Sequence, residues 1–224
     1  MAPYPAQHSY RDRRHAGTEL ANRLSHFKGR RDVVVLALPR GGVPVAYEVA
    51  RALDAPLDVF LVRKLGVPGH RELAMGAIAC GGIRVLSPDV VSWYRIPDAV
   101  IDEVAREEQA ELERRERAYR EGRTPIELRD RVVLLVDDGL ATGASMKAAV
   151  EAVRAHSPSR IVIAVPVGAP DTCRELEDVA DEIVCARTPE FFSAVGQWYV
   201  DFSQTTDEEV RNLLHEASRT LSTR

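Results

Sequence analysis

Residues 132–145 constrain the fold of this 224-residue chain more than any other stretch. Five apolar residues lead directly into Asp137 and Asp138, and small residues follow up to a helix predicted over residues 146–155. A short apolar run that ends in charge is typical of a buried strand. The loop behind it offers backbone N–H groups, hydroxyls and a helix N-terminus to an anion. The pattern therefore predicts two carboxylates beside an anion site at the carboxyl end of a strand.

Apolar runs alternate with amphipathic helices along the rest of the chain. This alternation predicts an α/β fold, a parallel twisted sheet flanked by helices on both faces. Such sheets bind ligands outside the carboxyl ends of their strands, where three loops of unusual chemistry, 39–42, 64–74 and 137–145, are expected to meet. Besides the strand that begins at 131, strands are predicted at 33–38, 58–63, 75–79, 83–86, 160–165 and 182–185, and helices at 16–27, 44–53, 97–120, from 170 and at 207–221.

The composition indicates a cytoplasmic protein without partners among nucleic acids or membranes. The formal net charge of −4 provides no general attraction to polyanions. Three widely spaced cysteines favour a reducing compartment with buried thiols over disulfides or a metal site. The first residues lack the apolar segment of a signal peptide, and no window approaches 18 uninterrupted apolar residues.

Several common catalytic patterns are absent from the sequence. The six histidines show no metal-ligand spacing, and there is no Gly-x-Ser-x-Gly nucleophile turn. No lysine follows the second glycine of the 137–145 loop, so it is not a Walker phosphate loop, and no Gly-x-Gly-x-x-Gly occurs. Common hydrolases and dinucleotide binders therefore lack support, and no metal centre built from protein ligands is predicted.

The loop of residues 39–42 follows a predicted buried strand and reads Pro-Arg-Gly-Gly. Glycine permits positive φ and a close approach of backbone to ligand, which predicts such roles for Gly41 and Gly42. The planar guanidinium of Arg40 is suited to bidentate contacts with phosphate. The alternative is a tight turn into the next helix, with Arg40 in solvent.

The run of residues 132–145 resembles the binding motif of the type I phosphoribosyltransferases, which hold 5-phosphoribosyl-1-pyrophosphate (PRPP). The acidic pair, the Thr-Gly and the final hydroxyl all occupy the positions that they have in the family motif. The resemblance is to a branch of the family whose acceptor is unknown. The alternative is an ordinary helix cap of an α/β protein. The resemblance implies that Asp137 and Asp138 hold the ribose hydroxyls, and that the 5-phosphate is bound by Gly139, Leu140, Ala141, Thr142, Gly143, Ala144 and Ser145.

Two further segments resemble parts of the same family. Residues 39–42 resemble its pyrophosphate loop, which often carries a non-proline cis peptide, and Arg40 is the expected catalytic cation there. Residues 64–74 resemble the flexible loop that closes over PRPP, with Lys64 as the expected catalytic cation and His70 and Arg71 as further donors. Glu72 is either structural or takes a substrate proton. The alternative for 64–74 is a solvated loop with incidental charges.

The resemblance also predicts a hood over the site. We expect a single domain over 1–224, with a core at about 30–185 and hood elements at about 1–29 and 186–224. Residues 189–202 resemble the hood of the hypoxanthine-guanine branch, in which Phe192, or else Phe191, would stack on the base and Asp201 would serve the site. Two departures separate the chain from that branch: Ala141 stands where it has an aspartate, and residues 165–168 lack its lysine.

The resemblance implies a Mg²⁺-dependent enzyme in which a nitrogen nucleophile displaces pyrophosphate from C1 of PRPP. Mg²⁺ would be carried mainly by PRPP itself, with water completing its shell. The acceptor would be a small heterocycle, with weak or no activity on hypoxanthine and guanine. A homodimer is expected. The polar helix 97–120 is predicted to be solvated and to have no catalytic role, and it is a candidate for the dimer interface. The alternative is a non-catalytic sensor of PRPP or nucleotide on the same fold.

Overall fold

The computed structural model describes residues 9–222, without the side chains of residues 71, 72 and 220–222. A five-stranded sheet forms its centre, and its strand order is β2-β1-β6-β7-β8 with every neighbouring pair parallel. A second sheet of three antiparallel strands, β3-β4-β5, lies beside it. The strands are β1 (Val33–Ala37), β2 (Leu57–Val59), β3 (Val62–Val67), β4 (His70–Ala79), β5 (Arg84–Leu86), β6 (Val132–Val136), β7 (Arg160–Val167) and β8 (Glu182–Arg187).

Helices cover the central sheet and close its core. All five residues of β1 and of β6 are buried, as expected for strands covered on both faces. Within the described residues, no helix is long and apolar enough to cross a membrane. The helices are α1 (Arg13–Arg23), α2 (Gly42–Leu53), α3 (Pro88–Trp93), α4 (Asp98–Arg120), α5 (Ala144–Arg154), α6 (Pro170–Glu177) and α7 (Asp207–Ser222).

The prediction of a single strand over 58–63 is wrong. Two strands replace it, because β2 ends at Val59 and β3 begins at Val62 in the other sheet. The predicted loop 64–74 is a β-hairpin instead, in which β3 and β4 pair across a turn that contains Gly69 at φ +81°. An apolar run cannot show from its composition alone where the chain changes sheets.

Helix α1 begins earlier than the periodicity predicts. The side chain of Asp12 accepts a hydrogen bond from the backbone N–H of His15 and caps the helix, which therefore starts at Arg13. Leu20, Leu24 and Phe27 are buried together, as predicted, although Phe27 belongs to a short 3₁₀ turn after the helix.

The register of β1 against β6 sets the position of the site. Ala37 pairs with Val136, so the loops that follow the two strands leave the sheet at the same level. These are the loops that carry Arg40 and the acidic pair. The structure therefore brings two of the three predicted loops to one edge of the sheet.

Candidate active site

The two glycines after β1 lie directly against the acidic pair. A Cβ atom built on Gly41 would stand 2.1 Å from Asp138 Oδ2, and one on Gly42 would stand 2.7 Å from the carbonyl oxygen of Val136. Gly41 has φ −60° and Gly42 begins α2, so the expected need for positive φ is wrong. Both glycines allow the loop after β1 to lie against the loop after β6, because a side chain at either position would clash with it.

Arg40 stands at the outer side of this loop. The peptide bond between Pro39 and Arg40 is cis, as the resemblance implied. The Arg40 side chain is about one-third exposed, and its guanidinium lies 3.7 Å from Asp207 Oδ1 at the start of α7. The hydroxyl of Tyr119 donates to the same carboxylate at 2.7 Å. This weak ion pair leaves the guanidinium available for an incoming phosphate.

Asp137 and Asp138 directly follow β6 and contact different partners. The backbone N–H of Asp138 donates to Asp137 Oδ1 at 2.8 Å. Desolvation and then the neighbouring Asp138 charge raise the pKa of Asp137 well above its ordinary value. Desolvation also raises the pKa of Asp138, although Arg13 opposes the rise. Two neighbouring carboxyls that are each only partly exposed favour ligands that donate hydrogen bonds to them.

Arg13, on α1, orients Asp138, a contact that sequence reasoning missed. Its Nε donates to Asp138 Oδ2 at 2.8 Å, and its Nη1 donates to the carbonyl of Ser203 at 2.7 Å. The guanidinium also lies 3.9 Å from the ring centroid of Phe202. Arg13 thus joins the first helix, the acidic pair and the C-terminal segment. The 125 residues that separate it from Asp138 leave no local signal in the sequence.

The loop of residues 139–143 closes on the N-terminus of α5. Gly143 adopts the left-handed conformation, φ +67°, and no side chain caps the helix that starts at Ala144. The first amide groups of a helix have no intrahelical acceptor, so they remain available to an anion. Leu140 anchors the loop, since it forms a parallel bridge with Gly168 and is buried. Ala141, Thr142, Ala144 and Ser145 are exposed, and Gly139 packs against Val195.

A cavity of about 130 Å³ lies between these loops. Asp137 and Ser145 line it together with Pro39, so the pyrophosphate-type loop and the phosphate-type loop share one space. Two cations also line it, Arg63 on β3 and Arg115 on α4. Arg63 forms an ion pair with Glu108, and Arg115 Nε lies 2.7 Å from Glu111 Oε1. Helix α4, for which the sequence predicts no catalytic role, therefore lines the candidate site through Arg115.

Lys64 does not line this cavity. Successive residues of a strand point to opposite faces, and Lys64 lines a separate depression of about 330 Å³ with Ala144 and Lys147. His70 is exposed, with its ring centroid 6.1 Å from that of Tyr94. The side chains of Arg71 and Glu72 lie outside the described part of the structure. Among the described side chains of the hairpin, the cation that lines the cavity with Asp137 is the neighbouring Arg63.

The segments before α1 and after β8 pack on each other beside the acidic pair. Tyr10 and Tyr199 form a parallel bridge, and the hydroxyl of Tyr199 donates to the carbonyl of Asp138 at 2.5 Å. The buried residues here form what we call the hood cluster, which consists of Tyr10, Ala16, Val167, Trp198 and Tyr199. Phe192 is half-buried against the hood cluster, whereas Phe191 is 69% exposed. The exposed carboxylate of Asp201 accepts from the N–H of Ser203 at 2.9 Å.

Comparison with known proteins bears on this arrangement of loops. A family model described as a phosphoribosyl transferase domain matches residues 10–203, which include all three loops and the hood cluster. The chain belongs to the phosphoribosyltransferase family. The predicted fold class is confirmed, since the five-stranded parallel sheet with its helices is the phosphoribosyltransferase fold.

Relatives in two bacteria match most of this chain. A protein of Mycobacterium tuberculosis, Rv0571c, provisionally named a phosphoribosyl transferase, is 51% identical over 208 residues; the same match occurs in strain CDC 1551. The aligned region covers 93% of this chain and 47% of the relative, so the chain spans about half the length of the curated relatives it matches. The crystal structure of TT1426 from Thermus thermophilus has 45% identity and a TM-score of 0.84, covering 93% of this chain and 98% of that one.

Proposed function

We propose that this phosphoribosyltransferase moves the phosphoribosyl group of PRPP, with Mg²⁺, to a nitrogen of a small heterocycle and releases pyrophosphate. One observation carries the proposal: Asp137, the Pro39–Arg40 turn and Ser145 border the same space, with two arginines beside it. A diol, a phosphate and a pyrophosphate need these three kinds of partner within the length of one molecule. A homodimer in a reducing compartment is part of the same proposal.

In this arrangement the two ends of PRPP bind to different loops. The 5-phosphate takes the amides at the N-terminus of α5 and the hydroxyls of Thr142 and Ser145. The ribose hydroxyls donate to Asp137 and Asp138. The pyrophosphate takes the guanidinium of Arg40 and the amide of Gly41, while the N–H of Gly42 already donates to the carbonyl of Leu38 at 3.1 Å. Gly42 contributes through its missing side chain.

The residues present fit a magnesium ion that arrives with its substrate. In the part of the chain that the structure describes, no group of three or more His, Cys, Asp or Glu side chains could hold a metal by itself. Two carboxylates, Asp137 and Asp138, do stand at the ribose end, and Mg²⁺ prefers oxygen ligands with several waters retained. When bound, the ion would neutralise charge on the pyrophosphate.

The chemistry requires that charge be stabilised on both sides of the breaking bond. The acceptor's nitrogen lone pair forms the new bond to C1, and the C1–O bond breaks towards pyrophosphate. The carboxylates of Asp137 and Asp138 favour the positive charge that develops on the ribose. In this proposal Arg40, together with Arg63 and Arg115 at the cavity, would stabilise the negative charge that grows on the leaving pyrophosphate. Exclusion of water by the β3–β4 hairpin would protect the reacting carbon.

Pyrophosphate release across a panel of heterocycles tests the proposal. The protein with Mg²⁺ and PRPP is incubated with purines, pyrimidines and simple azoles, and pyrophosphate is measured by a coupled assay. We expect acceptor-dependent release that disappears in Asp137→Asn. If calorimetry shows PRPP binding but no acceptor gives release, the protein is a sensor. Absence of PRPP binding would overturn both forms of the proposal.

Arg40→Ala should weaken binding of the pyrophosphate end of PRPP and leave binding of its 5-phosphate end largely unchanged. Because Arg40 lies in the turn after β1, we expect its loss to weaken PRPP and pyrophosphate binding, by about 10- to 100-fold for a lost charged hydrogen bond. Binding of a nucleoside 5′-monophosphate should change little. Calorimetry with the three ligands measures this. Equal losses for all three would instead indicate that Arg40, through Asp207, supports the fold.

The acceptor end is expected to depend on Phe191. The sequence favoured Phe192, but its packing on the hood cluster leaves Phe191 as the ring with an open face. Stacking contributes about 0.5–1.5 kcal/mol beyond buried area, so Phe191→Ala should weaken acceptor binding about tenfold and leave PRPP binding unchanged. Phe192→Ala should chiefly lower the melting temperature. Acceptor KM values and thermal unfolding distinguish the two rings, and unchanged acceptor KM in Phe191→Ala would refute the assignment.

The end of β7 supports an acceptor without a 6-oxo group. Val167 is buried in the hood cluster, and a Cβ atom on Gly168 would stand 2.8 Å from the sulfur of Cys173. No lysine reader of a 6-oxo group can therefore stand at these two positions. We expect weak or no turnover of hypoxanthine and guanine in the panel.

A further inference from the structure

Two of the three cysteines lie next to each other. Cys173 stands in the first turn of α6, and Cys185 stands in β8, the edge strand of the central sheet. A Cβ atom built on Gly168 would stand 2.8 Å from Cys173 Sγ and 3.2 Å from Cys185 Sγ. The two sulfurs therefore border one point in the fold, where the missing side chain of a glycine leaves room for both.

The two thiols also interact directly. A hydrogen bond with Cys185 lowers the pKa of Cys173, and the same contact raises the pKa of Cys185. The Cys185 thiol has a second acceptor in reach, the carbonyl oxygen of Arg187 at 3.1 Å. One sulfur of the pair is thus favoured as a thiolate, which is the nucleophilic form, while the other keeps its proton.

Both cysteines lie close enough to the surface for a small oxidant. Cys185 is partly exposed, and Cys173 keeps 7% of its surface exposed. The neighbours of Cys173 on the outer side of α6, Asp171 and Arg174, are exposed. Hydrogen peroxide is only slightly larger than water, so it is the class of oxidant that fits this position.

The first turn of α6 also contacts the loop of residues 139–143. The hydroxyl of Thr172, which precedes Cys173, donates to the carbonyl oxygen of Ala141 at 2.6 Å. A Cβ atom built on Gly143 would stand 2.7 Å from Thr172 Cγ2, so the turn and the loop are in close contact. A displacement of this turn is therefore passed directly to the loop that leads into α5.

We propose that Cys173 and Cys185 form a reversible disulfide when the protein meets a peroxide, and that this bond changes the anion site at the start of α5. The sulfurs of a disulfide are about 2.05 Å apart, closer than any non-bonded contact. Formation of the bond must therefore draw the first turn of α6 towards β8 and away from the 139–143 loop. In reducing compartments, disulfides of this kind are transient and serve redox sensing.

The oxidation proceeds in two steps. The Cys173 thiolate attacks one oxygen of hydrogen peroxide, the O–O bond breaks, and the leaving hydroxide takes up a proton to become water. The sulfur of Cys185 then attacks the sulfenic acid on Cys173, so that the S–S bond forms and the S–O bond breaks. A second water leaves with the proton of Cys185. Two thiols are oxidised and one peroxide is reduced to two waters, and a thiol reductant reverses the reaction by exchange.

Peptide mapping by mass spectrometry without reduction tests the bond itself. After treatment of the reduced protein with hydrogen peroxide, we expect one cross-linked peptide pair that contains Cys173 and Cys185 and disappears with dithiothreitol. In Cys185→Ser, dimedone should instead trap a sulfenic acid on Cys173. Oxidation of the wild type without this cross-link, or cross-links only between molecules, would overturn the proposal.

Cys80→Ala is the matched control. Cys80 follows β4 in the other sheet, where its sulfur accepts from the N–H of Leu61 at 3.4 Å and burial raises the pKa of its thiol. The Cys173–Cys185 cross-link should therefore form in Cys80→Ala as in the wild type. Reduced Cys185→Ser should melt close to the reduced wild type, which shows that loss of the cross-link is not loss of the fold. A Cys80→Ala protein that no longer forms the cross-link would contradict the assignment.

Hydrogen–deuterium exchange tests the effect on the loop. Amides of residues 139–145 should exchange about tenfold faster in the oxidised wild type than in the reduced protein, the scale of one lost hydrogen bond. Peroxide-treated Cys185→Ser should show no such change. A cross-link with unchanged exchange would overturn the coupling of the disulfide to the anion site.

The consequence for PRPP is the one part that rests on the proposed function. By calorimetry we expect the oxidised wild type to bind PRPP with Mg²⁺ about tenfold more weakly than the reduced protein. If neither form binds PRPP while the cross-link and the faster exchange are seen, the proposed function fails and the disulfide stands. If both forms bind PRPP equally, the regulatory role of the disulfide is refuted.

Discussion

Asp137→Asn is expected to weaken binding of PRPP with Mg²⁺ by about 5- to 150-fold, the equivalent of about 1–3 kcal/mol for a charged hydrogen bond. The same substitution should raise the free energy of unfolding at neutral pH. Desolvation and Asp138 raise the pKa of this carboxyl, so the ionised form is less stable in the folded protein than in the unfolded chain. Asparagine keeps the oxygen that accepts from the N–H of Asp138.

The pH dependence of stability follows from the sign of this shift. A carboxyl with a raised folded pKa holds its proton more firmly in the folded state, so protonation stabilises the fold at low pH. The free energy of unfolding contributed by Asp137 should therefore fall as pH rises from the ordinary aspartate value of 3.8 to the raised folded pKa, and stay constant above it. Urea unfolding at a series of pH values should show a smaller fall in Asp137→Asn.

Asp32→Asn is the matched control. A hydrogen bond from Arg30 lowers the pKa of this exposed carboxyl, so its effect on stability has the opposite sign. We expect no gain in stability and no change in PRPP binding. A loss of stability in Asp137→Asn would show that its carboxylate supports the fold, and unchanged PRPP affinity would remove it from the ribose site.

Gly41→Ala is expected to reduce kcat/KM by about 100-fold, the scale of effect expected when reacting groups are displaced by about 1 Å. The new Cβ would lie 2.1 Å from Asp138 Oδ2, which cannot remain in place. The backbone at Gly41 has φ −60°, which alanine adopts without strain. The loss of activity should therefore arise from displacement of Asp138. The circular dichroism spectrum should be unchanged, and the melting temperature should fall only slightly.

A double-mutant cycle with Arg13→Met identifies the route of this effect. Arg13 and Gly41 both act through the position of Asp138, which Arg13 bonds at 2.8 Å. The double variant should therefore lose less activity than the sum of the two single losses in free energy. Full additivity would show that Gly41 acts elsewhere, most simply through the conformation of Arg40.

The local features of the site could be predicted from the sequence. Each depends on neighbours along the chain: an apolar run that must be buried, two acids at its end, and small residues before a helix. The strand Val132–Val136 follows from such patterns, as does a helix behind it, although α5 begins at Ala144, two residues before the predicted start. The same holds for the closeness of the 39–42 and 137–145 loops, because neighbouring parallel strands place their carboxyl ends together.

The orientation and contacts of individual side chains were decided by the tertiary structure. Position in the β3–β4 hairpin determines that Arg63, and not Lys64, faces Asp137, since a shift of one residue reverses the face of a strand. Phe191 is open and Phe192 is half-buried because Phe192 packs on the hood cluster, to which the distant Tyr10 also belongs.

Contacts between distant segments leave no trace in any short stretch of sequence. Arg13 reaches Asp138 across 125 residues, and Arg115 enters the site from a helix whose pattern of charges predicts only a solvated surface. The sequence by itself therefore determined the fold class and the loops that form the site, because local burial and helix signals encode them. Only the folded chain decided which charges and rings face the ligands, because those choices depend on packing between distant residues.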